Sequence, residues 1–225
     1  MIRISIIIPM LDEEAILHTS LERLQPLRAA GHEVIVVDGG SRDNGVAVAR
    51  ALADKTIAAE RGRATQMNAG ARVAMGDALL FLHADSWLPQ DAVSAIASAL
   101  ASGAHWGRFD VIIGGRPAIL KVVAAMMNAR SRLTGIATGD QGIFVRRSSF
   151  GHSGGFPSIA LFEDIELCVM LKRRAGHPAC LRQRILTSGR RWERHGPWRT
   201  IVAMWRLRLA YALGADPARL ARRYS

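Results

Sequence analysis

Cysteine is nearly absent: Cys168 and Cys180 are the two in 225 residues. They stand twelve apart with no CxxC partner, which argues against a disulfide framework or a zinc knuckle and for a reduced compartment. Also missing is any apolar run near the roughly 18 residues that cross a bilayer. The opening MIRISIIIPM has no small-residue cleavage site and is expected to be a first strand rather than a signal peptide. No GxGxxG follows that run and no GxxxxGK[ST] occurs, so the dinucleotide and P-loop fingerprints are lacking. Neither an internal repeat nor a low-complexity linker divides the chain.

What remains is a globular composition, 49% apolar and 22% charged, long enough to bury a full core. The formal charge of +11 is unevenly placed. Residues 172–225 hold 14 Lys and Arg against Glu193 and Asp216, a net of +12. Residues 1–171 hold 16 basic and 17 acidic groups, a net of −1. The last quarter therefore attracts polyanions: anionic lipid, nucleic acid or phosphorylated ligands.

Apolar runs at 3–8 (RISIII, stopping at Pro9), 33–38 (EVIVVD), 55–59 and 78–82 (ALLFL) read as strands. Helical periodicity between them predicts alternating strands and helices, hence an α/β fold with a mostly parallel sheet covered on both faces. The strands are apolar throughout, as burial on two sides requires. Beyond residue 103 the pattern loosens. Strands are expected at 105–113 and 142–147, and helices at 118–133, within 159–176 and over 198–214.

Parallel sheets bind ligands where strands end at their carboxyl edge. Four such ends carry polar or permissive residues: Pro9 to Glu13, Asp38 to Ser41, Glu60 to Arg63, and His83 to Asp85. Asp38 precedes two glycines and could accept from a nucleobase or ribose; otherwise it caps the following helix, a role that Ser41 or Asp43 could also fill. Arg61 and Arg63 suit phosphate contact. Asp85 suits Mg²⁺ or Mn²⁺ shared with substrate phosphates. His83 is either a ligand group or a satisfied strand-end histidine. Glu163 and Asp164, with Glu166 two further on, form either an acid–base pair or favourable charge at a helix N-terminus.

The segments IIIPMLDEE, VIVVDGGSRDN, GRATQMNAGA, LLFLHADS, GDQGIFVRR and LFEDIEL follow one another in an order that resembles family 2 glycosyltransferases of the GT-A fold. The resemblance is to the small bacterial branch with HAD in place of DxD and RRWERHG near the carboxyl end. It implies a GT-A, Rossmann-like single domain of 225 residues. Within it, 1–103 is the nucleotide-binding half, 104–190 the acceptor and catalytic half, and 191–225 a basic amphipathic helical tail. It also implies an inverting transferase moving a sugar from a nucleotide-diphosphate donor to a hydroxyl acceptor, with Mn²⁺ or Mg²⁺. Pro9, Leu11, Glu13, Asp38, Arg63, Asn68 and His83 would contact the nucleotide, Asp85 the metal, and Asp164 would be the catalytic base. His83 departs from the usual first Asp, and an imidazole suits Mn²⁺ better than Mg²⁺. Arg190 to His195 would fold over the diphosphate, with His195 a candidate further metal ligand.

Three readings stay open for the tail helix: packing on its own body, an anionic membrane surface, or a dimer interface. No nucleic-acid partner is expected, because the tail lacks aromatic platforms in a recognised motif. A cytoplasmic location follows, with a peripheral seat at the inner face of the cell membrane under the second reading. A non-catalytic nucleotide-sugar-binding module of the same fold is the alternative function.

Overall fold

The fold is that of a computed structural model describing residues 2–224, with the side chains of residues 191, 195, 223 and 224 outside the description. The first half runs β1 (Ile4–Met10), α1 (Glu14–Glu22), α2 (Gln25–Ala29), β2 (Glu33–Asp38), α3 (Gly45–Leu52), β3 (Lys55–Ala58), α4 (Arg63–Val73), β4 (Ala78–Phe81), β5 (Ser86–Trp87) and α5 (Ala92–Ala101). The second runs β6 (Trp106–Ile113), α6 (Ile119–Thr134), a 3₁₀ turn (Gly139–Gln141), β7 (Ile143–Arg146), α7 (Arg147–Ser153), α8 (Glu163–Ala175), β8 (Ala179–Thr187), α9 (Arg190–His195), α10 (Pro197–Ala212) and α11 (Pro217–Tyr224).

The strands form one sheet in the order β3-β2-β1-β4-β7-β6-β8-β5. β1, β2, β3 and β4 pair in parallel, β7 lies antiparallel between β4 and β6, and β8 runs parallel to β6. Alternate residues of the apolar strands feed two cores. Ile4, Ile6, Ile8, Val34, Val36 and Leu80 pack with Leu17, Leu21, Ile96 and Leu100 on one face. Ile7, Ile35, Val37, Leu79 and Phe81 pack with Met67, Leu167 and Leu171 on the other. That double burial explains why β1 and β2 show no polar alternation. The GT-A architecture expected from the sequence is thus present.

Several boundaries differ from expectation. β1 continues through Pro9, which pairs with Val37 in register. The ladder to β4 ends at Ile7 and Phe81, with Leu82 N donating to Ile7 O. Alternation along the strand turns the nitrogen of Pro9 to that same side, beyond the last rung, so its missing N–H costs nothing. The helical stretch between β1 and β2 is broken at Arg23 and Leu24, and α2 opens with Pro26 in its first turn. α4 begins at Arg63, so the arginine expected in a loop opens the helix. β5, β8, α7 and α9 were not legible; β8 hides behind Arg182, Gln183 and Arg184 in ACLRQRILT.

Sequence order places β4 on the far side of β1 from β2 and β3, so the chain reverses its direction of growth between β1 and β4. The carboxyl ends of those two strands flank the crevice where open α/β sheets bind ligands.

Candidate active site

A cavity of about 460 Å³ opens at this crevice, within the size range of small-molecule sites. The end of β1 contributes Pro9, Met10, Leu11 and Glu13, and the end of β4 contributes His83, Ala84 and Asp85. The approach to α4 adds Arg61, Gly62, Arg63 and Gln66. The opposite wall comes from Thr138 to Asp140, from Leu161 to Ile165 at the start of α8, and from Thr187 and Ser188 after β8. Trp192 of α9 and Met204 and Arg208 of α10 close it.

Local bonds hold these ends in place. The buried amide of Gln66 donates to Met10 O and Val37 O, both at 2.8 Å, tying α4 to the ends of β1 and β2. The loops after β1 and β2 are laced together: Asp12 N donates to Ser41 Oγ at 3.0 Å, Arg42 N to Asp12 Oδ1 at 2.7 Å, and Glu14 N to Asp43 Oδ2 at 2.8 Å. Asp12 takes a positive φ of 53° within this lacing. Six of the eight sequence-derived site residues other than Asp164, namely Pro9, Leu11, Glu13, Arg63, His83 and Asp85, line the cavity, and Asp164 joins them from 79 residues beyond Asp85.

Asp38 and Asn68 do not line it. Asp38 is 8% exposed at the end of β2, opposite Met10. Its carboxylate accepts from Gly40 N, Ser41 N and Ser41 Oγ at 3.1, 3.0 and 2.6 Å, so it organises its own loop just behind the rim. Asn68, expected near the nucleotide, is engaged elsewhere in the structure. Its amide clasps Phe156, donating to the carbonyl at 2.8 Å and accepting from the N–H at 2.9 Å. That pair of bonds locks α4 to the loop after α7.

Asp164 sits in the first turn of α8. Gly139 N donates to its Oδ2 at 2.8 Å and Ile165 N to its Oδ1 at 2.7 Å, which orients the carboxylate toward the cavity it lines. The preceding Phe162 has φ +70°, a left-handed conformation that costs a bulky residue about 1–3 kcal/mol. Its ring lies 4.8 Å from that of Tyr211 on α10, and burial there offsets the strain. Tyr211 Oη also donates to Glu166 Oε1 at 2.5 Å, and burial, with this bond, pushes the phenol up to about 12. The tail therefore packs one face on the body and clamps the turn that presents Asp164.

Glu163 is 6% exposed, and burial, reinforced by the charge of Asp164, raises its carboxyl above the usual range against the pull of Arg63 and His83. A folded-state value above the unfolded one means that ionised Glu163 weakens the fold at high pH. Below about pH 4 the group is protonated in both states and costs nothing. Glu163→Gln is therefore expected to raise Tm at neutral and alkaline pH by about 2–4 °C per kcal/mol relieved, with the gain vanishing near pH 4. Melts of both proteins across this range check it; a gain independent of pH would refute the assignment. Cys168, on the buried face of the same helix, has its thiol pushed up to about 12, which makes it an inert packing group.

At the β4 end, His83 Nδ1 lies 3.2 Å from Asp140 Oδ1, and Gly139 passes so close to the imidazole that a Cβ there would collide with Nε2. Arg190 Nη2 stands 3.2 Å from Glu13 Oε2 and 3.8 Å from Asp85 Oδ2, bridging two strand ends. Among the described residues no three carboxylate, imidazole or thiolate groups cluster as a preformed metal cage. One carboxylate with an adjacent imidazole still fits a cation that arrives with a nucleotide, because Mg²⁺ and Mn²⁺ take most ligands from phosphates and water. The side chain of His195, a candidate ligand from its sequence neighbourhood, lies outside the described residues.

Sequence reasoning missed Gln66, Asp140 and the inward Met204 and Arg208. The last two are four apart on α10, a spacing that marks one face but not what the face meets. Nor does any helix among the described residues have the length and hydropathy to cross a membrane.

The fold is similar to that of solved structures. The mannosyltransferase PcManGT from Pyrobaculum calidifontis, in complex with GDP-Man and Mn²⁺, superposes with a TM-score of 0.68 at 22% identity over 96% of this chain and 66% of that one. TarS 1–349 of S. aureus gives 0.67 at 16% identity over 83% of this chain and 60% of its own. Glucosyl-3-phosphoglycerate synthase from Mycobacterium tuberculosis, with Mn²⁺, UDP and glucosyl-3-phosphoglycerate, gives 0.62 at 17% identity over 83% and 71%. The chain thus spans less than two thirds of the first two. No curated protein matches the sequence. The family described as Glycosyl transferase family 2 matches residues 5–156, more than half of the chain, and the protein belongs to that family.

Proposed function

We propose that the protein is an inverting glycosyltransferase that moves a sugar from a nucleoside-diphosphate donor to a hydroxyl acceptor. The observation that carries the reading is the convergence of Asp85 and Asp164 on one cavity, with Arg63 and Arg208 among its walls and Arg190 at the Asp85 edge. The nucleotide occupies the β1 and β4 ends against Pro9, Leu11, Glu13 and Arg63, with its base directed toward the loop that Asp38 organises behind the rim. The acceptor approaches from the side of α8. Asp164 takes the proton of its hydroxyl, the oxygen forms a bond to C1 in line, and the C1–oxygen bond to the diphosphate breaks, which inverts the anomeric centre. Arg63 and Arg190 are the cations at hand to offset charge on the leaving diphosphate. Asp85 and His83 would hold a divalent cation, which when bound neutralises phosphate charge.

A melting screen of UDP-, GDP- and dTDP-sugars with Mn²⁺ or Mg²⁺ tests this. A donor at 100 times its Kd adds about 2.7 kcal/mol, or a Tm rise of about 5–10 °C for a chain of this size. Such a shift with release of nucleoside diphosphate is expected. Absence of any shift would remove the reading, and a shift without release under any acceptor would favour the non-catalytic binding module.

A further inference from the structure

Three sides of α10 have partners. Leu207 is buried with Leu161, Phe162 and Leu220, Met204 and Arg208 face the cavity, and Ile201 packs against the α6 cluster around Leu120 and Val123. The fourth side holds Trp198, Val202, Trp205, Leu209 and Leu213, spaced four, three, four and four apart, which puts them in one stripe. They are 48–79% exposed, and Val122 and Met126 of α6, the helix that Ile201 packs against, are more than half exposed as well. Isolated exposed apolar residues need no explanation; a stripe of this length with two tryptophans does.

We propose that this face docks on the surface of an anionic lipid bilayer. Charge selects the occupant. From Arg194 to Ala215 the chain has four arginines and no acid, and Arg199 and Arg206, seven apart and exposed, run along one edge of the stripe. A second copy would set the same positive segment against itself, whereas an anionic headgroup layer complements it. Two tryptophans beside arginines, on a helix with no acid, suit a segment lying in the headgroup plane. Met204 and Arg208 on the inner side of α10 line the cavity, so docking brings one wall of the cavity within one helix diameter, about 10 Å, of the headgroups.

The experiment sediments the full chain with vesicles of phosphatidylcholine alone or mixed with phosphatidylglycerol, at low and high salt. The expected result is at least tenfold greater retention on the anionic vesicles, weakened by salt, with brominated lipid quenching the tryptophan fluorescence. Combined Trp198→Ala, Trp205→Ala and Leu209→Ala, all exposed and outside the cavity lining, should abolish retention and quenching without changing Tm. Arg199→Glu with Arg206→Glu should do the same and serves if the first variant fails to fold. Equal retention on neutral and anionic vesicles, no retention on either, or a concentration-dependent dimer that the triple variant dissolves would each overturn the proposal. Partition requires neither donor nor turnover, so its outcome is separable from that of the transferase reading.

Discussion

Asp164→Asn is expected to lower sugar transfer by about 10²–10⁴-fold, the usual worth of a positioned general base. The side chain keeps its shape and one of its two backbone acceptor roles toward Gly139 and Ile165, so the turn at the start of α8 should survive. What it loses is the capacity to take a proton. Nucleotide-sugar affinity should stay within a few-fold, because the proposed nucleotide contacts belong to the β1 and β4 side of the cavity. The measurement is kcat beside a donor titration on the same preparation. Unaltered turnover would remove Asp164 as the base. Glu163, its neighbour, is buried, and burial with the charge of Asp164 raises its carboxyl.

Asp85→Ala is expected to cost the metal-dependent part of nucleotide affinity, about 10–100-fold, as a lost charge-assisted contact of about 1.5–3 kcal/mol predicts. Binding measured by calorimetry with Mn²⁺ should weaken to the level seen with chelator, while affinity in chelator changes little. A variant that still gains affinity from Mn²⁺ would show that the cation is held elsewhere. The neighbourhood makes the result informative. Arg190 stands 3.8 Å from Asp85 and 3.2 Å from Glu13, so removal of Asp85 frees one end of that bridge and leaves the other. A fall in chelator affinity of the same size would therefore report loss of Arg190 positioning instead of loss of a metal ligand.

Much of the β1 and β4 wall of the cavity was legible because its residues are local to strand ends. Pro9, Glu13, His83 and Asp85 each follow an apolar run that can only be a buried strand, and parallel strands align their carboxyl ends. Asn68, five residues beyond Arg63, was not placed by its sequence neighbourhood: its amide meets Phe156. The tail was legible in part. Its periodicity was plain, but an amphipathic pattern does not say which of its faces meets protein, and Arg208 turned inward while Trp198 and Trp205 stayed exposed.

Hydrophobic patterning by itself determined the alternation of strands and helices, the two-sided burial of β1 and β2, and the edge at which polar residues collect. Those properties depend on neighbours a few residues apart, where periodicity is a direct record of burial. Only the tertiary structure decided that α8 brings Asp164 to the cavity holding Asp85, that Arg190 spans Glu13 and Asp85, and that α10 closes the wall with Met204 and Arg208. Such contacts join segments separated by tens of residues or more, and they arise from the antiparallel insertion of β7 and the return of β8, whose polar sequence carries little trace of its place in the sheet.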